Sequence, residues 1–238
     1  MHAVVVAVLD RDDWGANTDV IVVVSGRKRR LTWVPRDLWS ERIGDRVNAA
    51  FGIGGGPLLM TVLGDLGFTV QGVLCLRRAA TEMALDGTEV TVSLKEPLDF
   101  WYPLEPSLPI EEGRKLVSFR PPEERLSGER LHQWVGARYS VRPDGSDLHR
   151  LRRQIVLLKA LLADGFEFRR ALRNPELVRV FGRDPIPTLA RVSPGWRFTV
   201  FSRVESTTIN GKAVLVRRKP VPRWRVAANW IAAKLRIR

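Results

Sequence analysis

Two valine-rich runs, Ala3–Leu9 and residues 20–24, limit the fold of this chain more than any other feature in it. Each is too short for a helix, is bounded by Asp or Gly, and lacks the polar alternation of a half-exposed strand. Both therefore read as strands buried on both faces. Residues 31–34 form a third strand, stopped by Pro35, and residues 57–66 a helix with Pro57 in its first turn and Gly67 just past its end, after a loop at 51–56. Residues 70–74 and 89–94 are further strands, with a helix over 77–85 between them. This alternation predicts an α/β domain built on a central mixed sheet flanked by helices.

Prolines and charges crowd residues 95–124, which suggests a long irregular segment or a hairpin insertion. The strongest helical pattern follows: Leu148, Leu151, Ile155, Leu158 and Leu162 recur at spacings of three and four, with Ser146 or Asp147 to cap the start and Gly165 to stop it. Residues 169–194 are basic and weakly patterned, and residues 198–204 and 213–216 are expected to pair as a hairpin about Asn210-Gly211. If the last segment, 220–238, is helical from Arg223, Trp224, Ala228, Ile231 and Leu235 share one side. Such a helix suits an anionic lipid surface, or equally a docked position on the protein's own sheet.

The 238 residues are 45% apolar, enough for one large domain or two small ones. No run reaches the roughly 20 apolar residues of a spanning helix, and Met1 leads straight into a strand. Cys75 is the only cysteine, so it forms no disulfide framework and reads as a small buried hydrophobe. Charge is unevenly spread: residues 1–118 carry 13 basic and 16 acidic side chains, whereas 119–238 carry 26 and 10. This asymmetry points to a polyanionic partner: nucleic acid, an anionic membrane or a phosphorylated substrate. The lack of interleaved aromatic and basic residues over 138–153 argues against nucleic acid.

The chain has neither a Gly-x-Ser-x-Gly elbow nor a His-Glu-x-x-His motif, and its cluster of Gly52, Gly54, Gly55 and Gly56 follows no strand that would make it a dinucleotide loop. What remains is a set of Asp and Arg residues at element ends. Asp10 closes the first strand and Asp19 opens the second, so neighbouring strands would carry both carboxylates to one end of a sheet, where a hard cation such as magnesium relieves their repulsion. Arg36 follows the third strand, and Arg138, Arg150, Arg152 and Arg153 gather about the start of the long helix, where Asp147, Arg150 and Gln154 share a stripe. Carboxylates, a cation and guanidinium groups together are what a pyrophosphate demands during transfer. Spacing alone favours the plainer reading, surface ion pairs.

Five stretches, VVVAVLDRDD (4–13), NTDVIVVVS (17–25), LTWVPRDLW (31–39), DRVNAAFGIGGGPLLMTVLGDLGF (45–68) and GARYSVRPDGSDLHRLRRQIVLLKALL (136–162), occur in an order and at gaps that resemble the catalytic domain of the LytR-CpsA-Psr family of cell-wall glycopolymer transferases. The resemblance covers about residues 3–165. It divides the chain into a catalytic domain (1–165), a basic extension that completes it and holds the hairpin (166–219), and a basic amphipathic tail (220–238).

The resemblance implies a phosphotransferase that moves a glycopolymer from a polyprenyl-pyrophosphate carrier to peptidoglycan or another cell-wall hydroxyl, with magnesium bound and the lipid in an apolar tunnel. It implies metal-associated Asp10 and Asp19, and catalytic Arg36, Arg138, Asp147 and Arg150, with Asp37 or Asp147 as the base. Arg11, Asp37, Arg153 and Gln154 join Arg36, Arg138 and Arg150 as substrate-binding candidates, and Leu58, Leu59, Val62, Leu157 and Leu161 are candidates for the tunnel wall. The implied place is the cell envelope, on the extracytoplasmic face of the membrane, with the tail standing in for the family's N-terminal anchor. Two of the family's usual arginines are replaced, by Asn17 and Gly136, with Arg11, Arg152 or Arg153 as candidate substitutes. That replacement leaves open a second reading, a relative that binds the lipid-linked glycan without efficient transfer.

Overall fold

The computed structural model describes residues 3–104, 110–137, 139–141, 147–202 and 204–218, and of Asp147 the backbone alone. The amphipathic tail expected over 220–238 lies outside the described residues, as does Arg138. In chain order the elements that position the site are β1 (Ala3–Leu9), β2 (Thr18–Ser25), β3 (Arg30–Trp33), α1 (Ala49–Asp65), β4 (Val70–Leu76), α2 (Arg78–Leu85) and β5 (Glu89–Ser93). There follow β6 (Leu98–Pro103), β7 (Arg114–Phe119), β8 (Glu123–Ser127), α3 (Gly128–Gly136), β9 (Tyr139–Ser140) and α4 (Asp147–Ala163). Last come β10 (Val178–Gly182), β11 (Arg197–Val200), β12 (Val204–Ile209) and β13 (Lys212–Arg217).

The central sheet is mixed, in the order β10-β4-β1-β2-β3-β11, with β1 parallel to β4 and antiparallel to β2, and β11 parallel to β3. The valine runs occupy its middle, and successive residues feed opposite faces. Val5, Ala7, Leu9, Ile21 and Val23 pack against Phe51, Leu59 and Leu63 of α1. Val4, Val6, Val22 and Val24 pack against Ala80 and Ala84 of α2, Leu151 of α4, Leu189 and Trp196. A third cluster joins α3 and α4 to β5, β6, β7 and β8 around Phe119, Trp134, Leu157 and Leu161. Among the described residues no helix is long and apolar enough to cross a membrane.

The helix expected at 57–66 is the second half of α1, which starts earlier, at Ala49, and breaks at Gly54 and Gly55; Gly55 sits at φ +62°, a backbone region that favours glycine. Gly56 carries the tightest contact at the break. A Cβ there would lie 2.4 Å from Cγ of Phe181, whose ring packs edge-on against Phe51. Gly56→Ala is therefore expected to force a shift in β10 and to cost about 1–3 kcal/mol of stability in urea denaturation, the usual range for overpacking.

Three other local expectations change. Residues 95–124 do contain a hairpin, β6–β7, and the next segment adds α3, a helix whose terminal glycines read as turn residues. The late hairpin does turn on Asn210 and Gly211, both at positive φ, but it joins β12 to β13; residues 197–200 break away as β11, which hydrogen-bonds to β3. The weakly patterned stretch 169–194 yields β10, an edge strand on β4 whose Arg179 and Val180 are exposed, so no hydrophobic alternation marks it.

Candidate functional site

A bulge creates the centre of the site. Val8 pairs with Val20 and Leu9 with Thr18, so Asp19 is the extra residue of β2 and is left out of the ladder. Bulges re-aim side chains and gather beside functional sites. The Asp19 carboxylate receives Nη1 of Arg36 at 2.6 Å on Oδ1 and Nη1 of Arg150 at 2.8 Å on Oδ2. Arg150 also reaches the Asp19 carbonyl at 3.4 Å. Its side chain is only 3% exposed and Asp19's 29%, so a guanidinium is held out of water with a carboxylate to receive it.

Behind this pair, Asp37 lies between Arg36 (Nε at 3.8 Å) and Arg46 (Nη1 at 3.5 Å). Beside it, Asp10 closes the loop between β1 and β2: its backbone N–H donates to the Asn17 carbonyl at 2.9 Å, and Arg11 approaches its Oδ1 at 3.7 Å. Four buried polar atoms of this group, Asp10 Oδ1, Arg36 Nε, Asp37 Oδ1 and Arg46 Nε, have no hydrogen-bond partner. Arg36 Nε and Asp37 Oδ1 face each other at 3.8 Å, so charge and not a hydrogen bond holds that pair.

Of the charged group, Asp10, Asp19, Arg36 and Arg150 line a cleft of about 540 Å³. Its other walls are largely apolar, with Val8 and Val20 from the sheet, Leu85 from α2, and Leu131 and Val135 from α3. Asp12 ties α2 to the loop that follows Asp10: its Oδ1 accepts the Ala79 N–H at 2.7 Å, and Arg77 donates to its carbonyl. The guanidinium groups of Arg77 and Arg179 both lie over the Trp14 ring, at 5.4 and 4.2 Å from its centroid.

The structure thus brings Asp10, Asp19, Arg36 and Arg150 together, with Asp37 behind them and Arg11 at the exposed edge. It does not bring Arg153 to the cleft. Arg153 donates through Nε to the Trp134 carbonyl at 3.1 Å and through Nη2 to that of Ala137, and its guanidinium covers Phe100, so it fastens α4 to α3. Gln154 is buried beside it, with neither amide atom hydrogen-bonded. Arg138 and the Asp147 side chain lie outside the described residues. The five expected tunnel residues also line other places: Leu59, Val62, Leu157 and Leu161 are buried in two packed cores, with Leu58 against the first. Their periodicity reports burial, which core and tunnel share.

Several cleft residues carry no signal in the sequence patterns that single out the rest: Arg78 and Glu82 of α2, Tyr102 of β6 and His132 of α3. The pair Arg77-Arg78 directly after a buried strand is the one clue to them. Tyr102 stands where position 136 lacks a side chain, since a Cβ on Gly136 would lie 3.5 Å from its Oη. Burial pushes the Tyr102 phenol above its ordinary pKa, with Arg78 opposing the shift, so the hydroxyl keeps its proton at neutral pH.

No group of three or more His, Cys, Asp or Glu side chains is arranged for a metal ion among the described residues. Of the two carboxylates expected to hold magnesium, Asp19 has each oxygen engaged by a guanidinium, of Arg36 and of Arg150, so the arrangement fits at most a hydrated ion met by Asp10 alone.

The model of the LytR_cpsA_psr family matches residues 3–181. No curated protein matches the chain. Among solved structures, "TagT bound to LI-WTA" is 17% identical with a TM-score of 0.59, over 90% of this chain and 83% of that one. TagU of B. subtilis is 16% identical with a TM-score of 0.56, over 99% and 95%. TagV of B. subtilis is 13% identical with a TM-score of 0.59, over 91% and 90%. At these identities the likeness is one of fold.

Proposed function

The chain belongs to the LytR-CpsA-Psr family, and from that membership we propose that it is a phosphotransferase of the cell envelope, moving a glycopolymer from a polyprenyl-pyrophosphate carrier to a cell-wall hydroxyl, peptidoglycan among the candidates. The observation that carries this reading is the meeting of Asp10, Asp19, Arg36 and Arg150 at the charged end of a cleft with apolar walls. One end suits a diphosphate and the walls suit the first isoprene units. TagT, a fold relative solved bound to LI-WTA, supports a cell-wall glycopolymer as the kind of ligand.

In the reaction, the acceptor hydroxyl oxygen forms a bond to the phosphorus that carries the glycan. The bond from that phosphorus to the bridging oxygen breaks, polyprenyl phosphate leaves with the electron pair, and the hydroxyl proton passes to a base. Arg36 and Arg150 face the diphosphate, where charge shifts to the leaving phosphate. Asp19 orients both guanidiniums. Asp37, between Arg36 and Arg46, steadies Arg36, and it remains with Asp147 the candidate base. Asp10 would be the carboxylate that meets a hydrated magnesium ion, which would supply neutralising charge to the phosphate oxygens.

The test is release of polyprenyl monophosphate from a polyprenyl-diphosphate-linked glycan, with and without magnesium. The native chain is expected to release it only with magnesium. Asp10→Asn is expected to lower the rate about 100-fold, in the range for losing one electrostatic contact in a closed site. Release untouched by this substitution would remove Asp10 from the site, whereas tight binding of the donor with no release by the native chain would favour the second reading, a binding relative, which Asn17 and Gly136 in place of arginines motivate.

A further inference from the structure

Among the described residues three arginines, Arg36, Arg78 and Arg150, line the cleft, and they are engaged differently. Arg36 and Arg150 each give Nη1 to Asp19. Arg78 gives its Nε to Glu82, one turn along α2, at 2.7 Å, and neither of its terminal amino groups meets a protein acceptor among the described residues. The Glu82 contact, an i,i+4 pair, sets the plane of the guanidinium and leaves two forked donors for a guest. Asp12 holds the start of α2 to the loop that begins at Asp10, so Arg78 sits on a helix anchored to the charged end of the cleft. Asp12 also occupies the helix N-terminus itself, which leaves anion binding in this wall to the side chain.

Tyr102 completes the arrangement. Tyr102 lines the same cleft as Arg78, and its hydroxyl borders the space that a side chain at position 136 would enter. Asn17 and Gly136 stand where the family resemblance expects guanidinium groups, and the cleft has an arginine on another element instead.

We propose that Arg78, with Tyr102 in the same cleft, binds one phosphate of a prenyl diphosphate while Arg36 and Arg150 face the other. This rests on the reading of the cleft as a diphosphate site. Arg78 is then the residue that distinguishes a diphosphate from a monophosphate, and it supplies from α2 a guanidinium that positions 17 and 136 do not offer.

Farnesyl diphosphate and farnesyl monophosphate are soluble probes for the full chain, titrated calorimetrically with magnesium present. The native chain is expected to bind the diphosphate more tightly. Arg78→Gln should weaken the diphosphate by about 10- to 100-fold, the worth of a charge-assisted contact, and the monophosphate by no more than about threefold. The melting temperature should barely move, because only an exposed helical ion pair is removed. If Arg78→Gln does melt lower, Arg78→Lys decides on the same two probes: it keeps the charge without the fork, and it should recover part of the diphosphate affinity. Native-like diphosphate binding by Arg78→Gln, with binding abolished in Arg36→Gln, overturns the role of Arg78 and leaves the diphosphate site standing. Equal weakening of both probes also overturns it. A native chain that binds neither probe overturns the diphosphate site and this inference with it.

Discussion

Asp19→Ala is expected to lower stability by about 3 kcal/mol and to cut polyprenyl phosphate release by a factor of about 1,000, measured by urea denaturation and by product assay. Both effects have one source. Arg150 is 3% exposed and gives Asp19 both a carboxylate contact at 2.8 Å and a carbonyl contact at 3.4 Å, and removing the carboxylate leaves that charge out of water with less to compensate it. Arg36 loses its 2.6 Å partner in the same step. Two guanidiniums then swing toward other acceptors, and the charged end of the cleft loses the geometry that faces the diphosphate. Asp19→Asn separates the terms: the amide oxygen keeps one acceptor in place, so stability should recover more than activity does. Loss of activity in Asp19→Ala with no change in the denaturation midpoint would show that Arg150 does not depend on Asp19 for its place in the fold.

The legibility of this site follows from how each residue is encoded. Asp10, Asp19 and Arg36 end or open elements whose buried valines and following proline are local signals, so chain order alone carries them to one sheet end. Arg150 stands on the strongest helical pattern in the chain. The bulge that turns Asp19 out of the ladder is not legible, because it depends on a register between β1 and β2 that no single strand specifies. Arg153 looks like Arg150 in sequence. Three positions further along a helix is enough to send its guanidinium to the carbonyls of Trp134 and Ala137 instead of the cleft. The cleft wall is hidden for the opposite reason: α3 is nine residues bounded by glycines, and its stability comes from tertiary burial that periodicity over so short a span does not report.

That burial makes Trp134→Ala the other large effect. The indole is 2% exposed and meets Phe119 edge-on at a centroid distance of 5.0 Å, and its Nε1–H donates to the Arg153 carbonyl at 3.0 Å. Truncation removes the ring from the cluster that joins α3 to α4 and leaves a cavity, at a cost of about 3–5 kcal/mol. The consequence extends to function because Trp134 shares its helix with Leu131 and Val135, which line the cleft. A loosened α3 shifts the apolar wall while Asp19, Arg36 and Arg150 keep their contacts on β2, the loop after β3, and α4. Weaker binding of farnesyl diphosphate is therefore expected at temperatures where the variant remains folded. The weakening should be shared by farnesyl monophosphate, since it is the prenyl chain, not the second phosphate, whose wall has moved. Trp134→Phe, which keeps most of the ring and gives up the hydrogen bond, should recover most of that binding. A variant that loses diphosphate binding alone would instead place α3 in the recognition of charge.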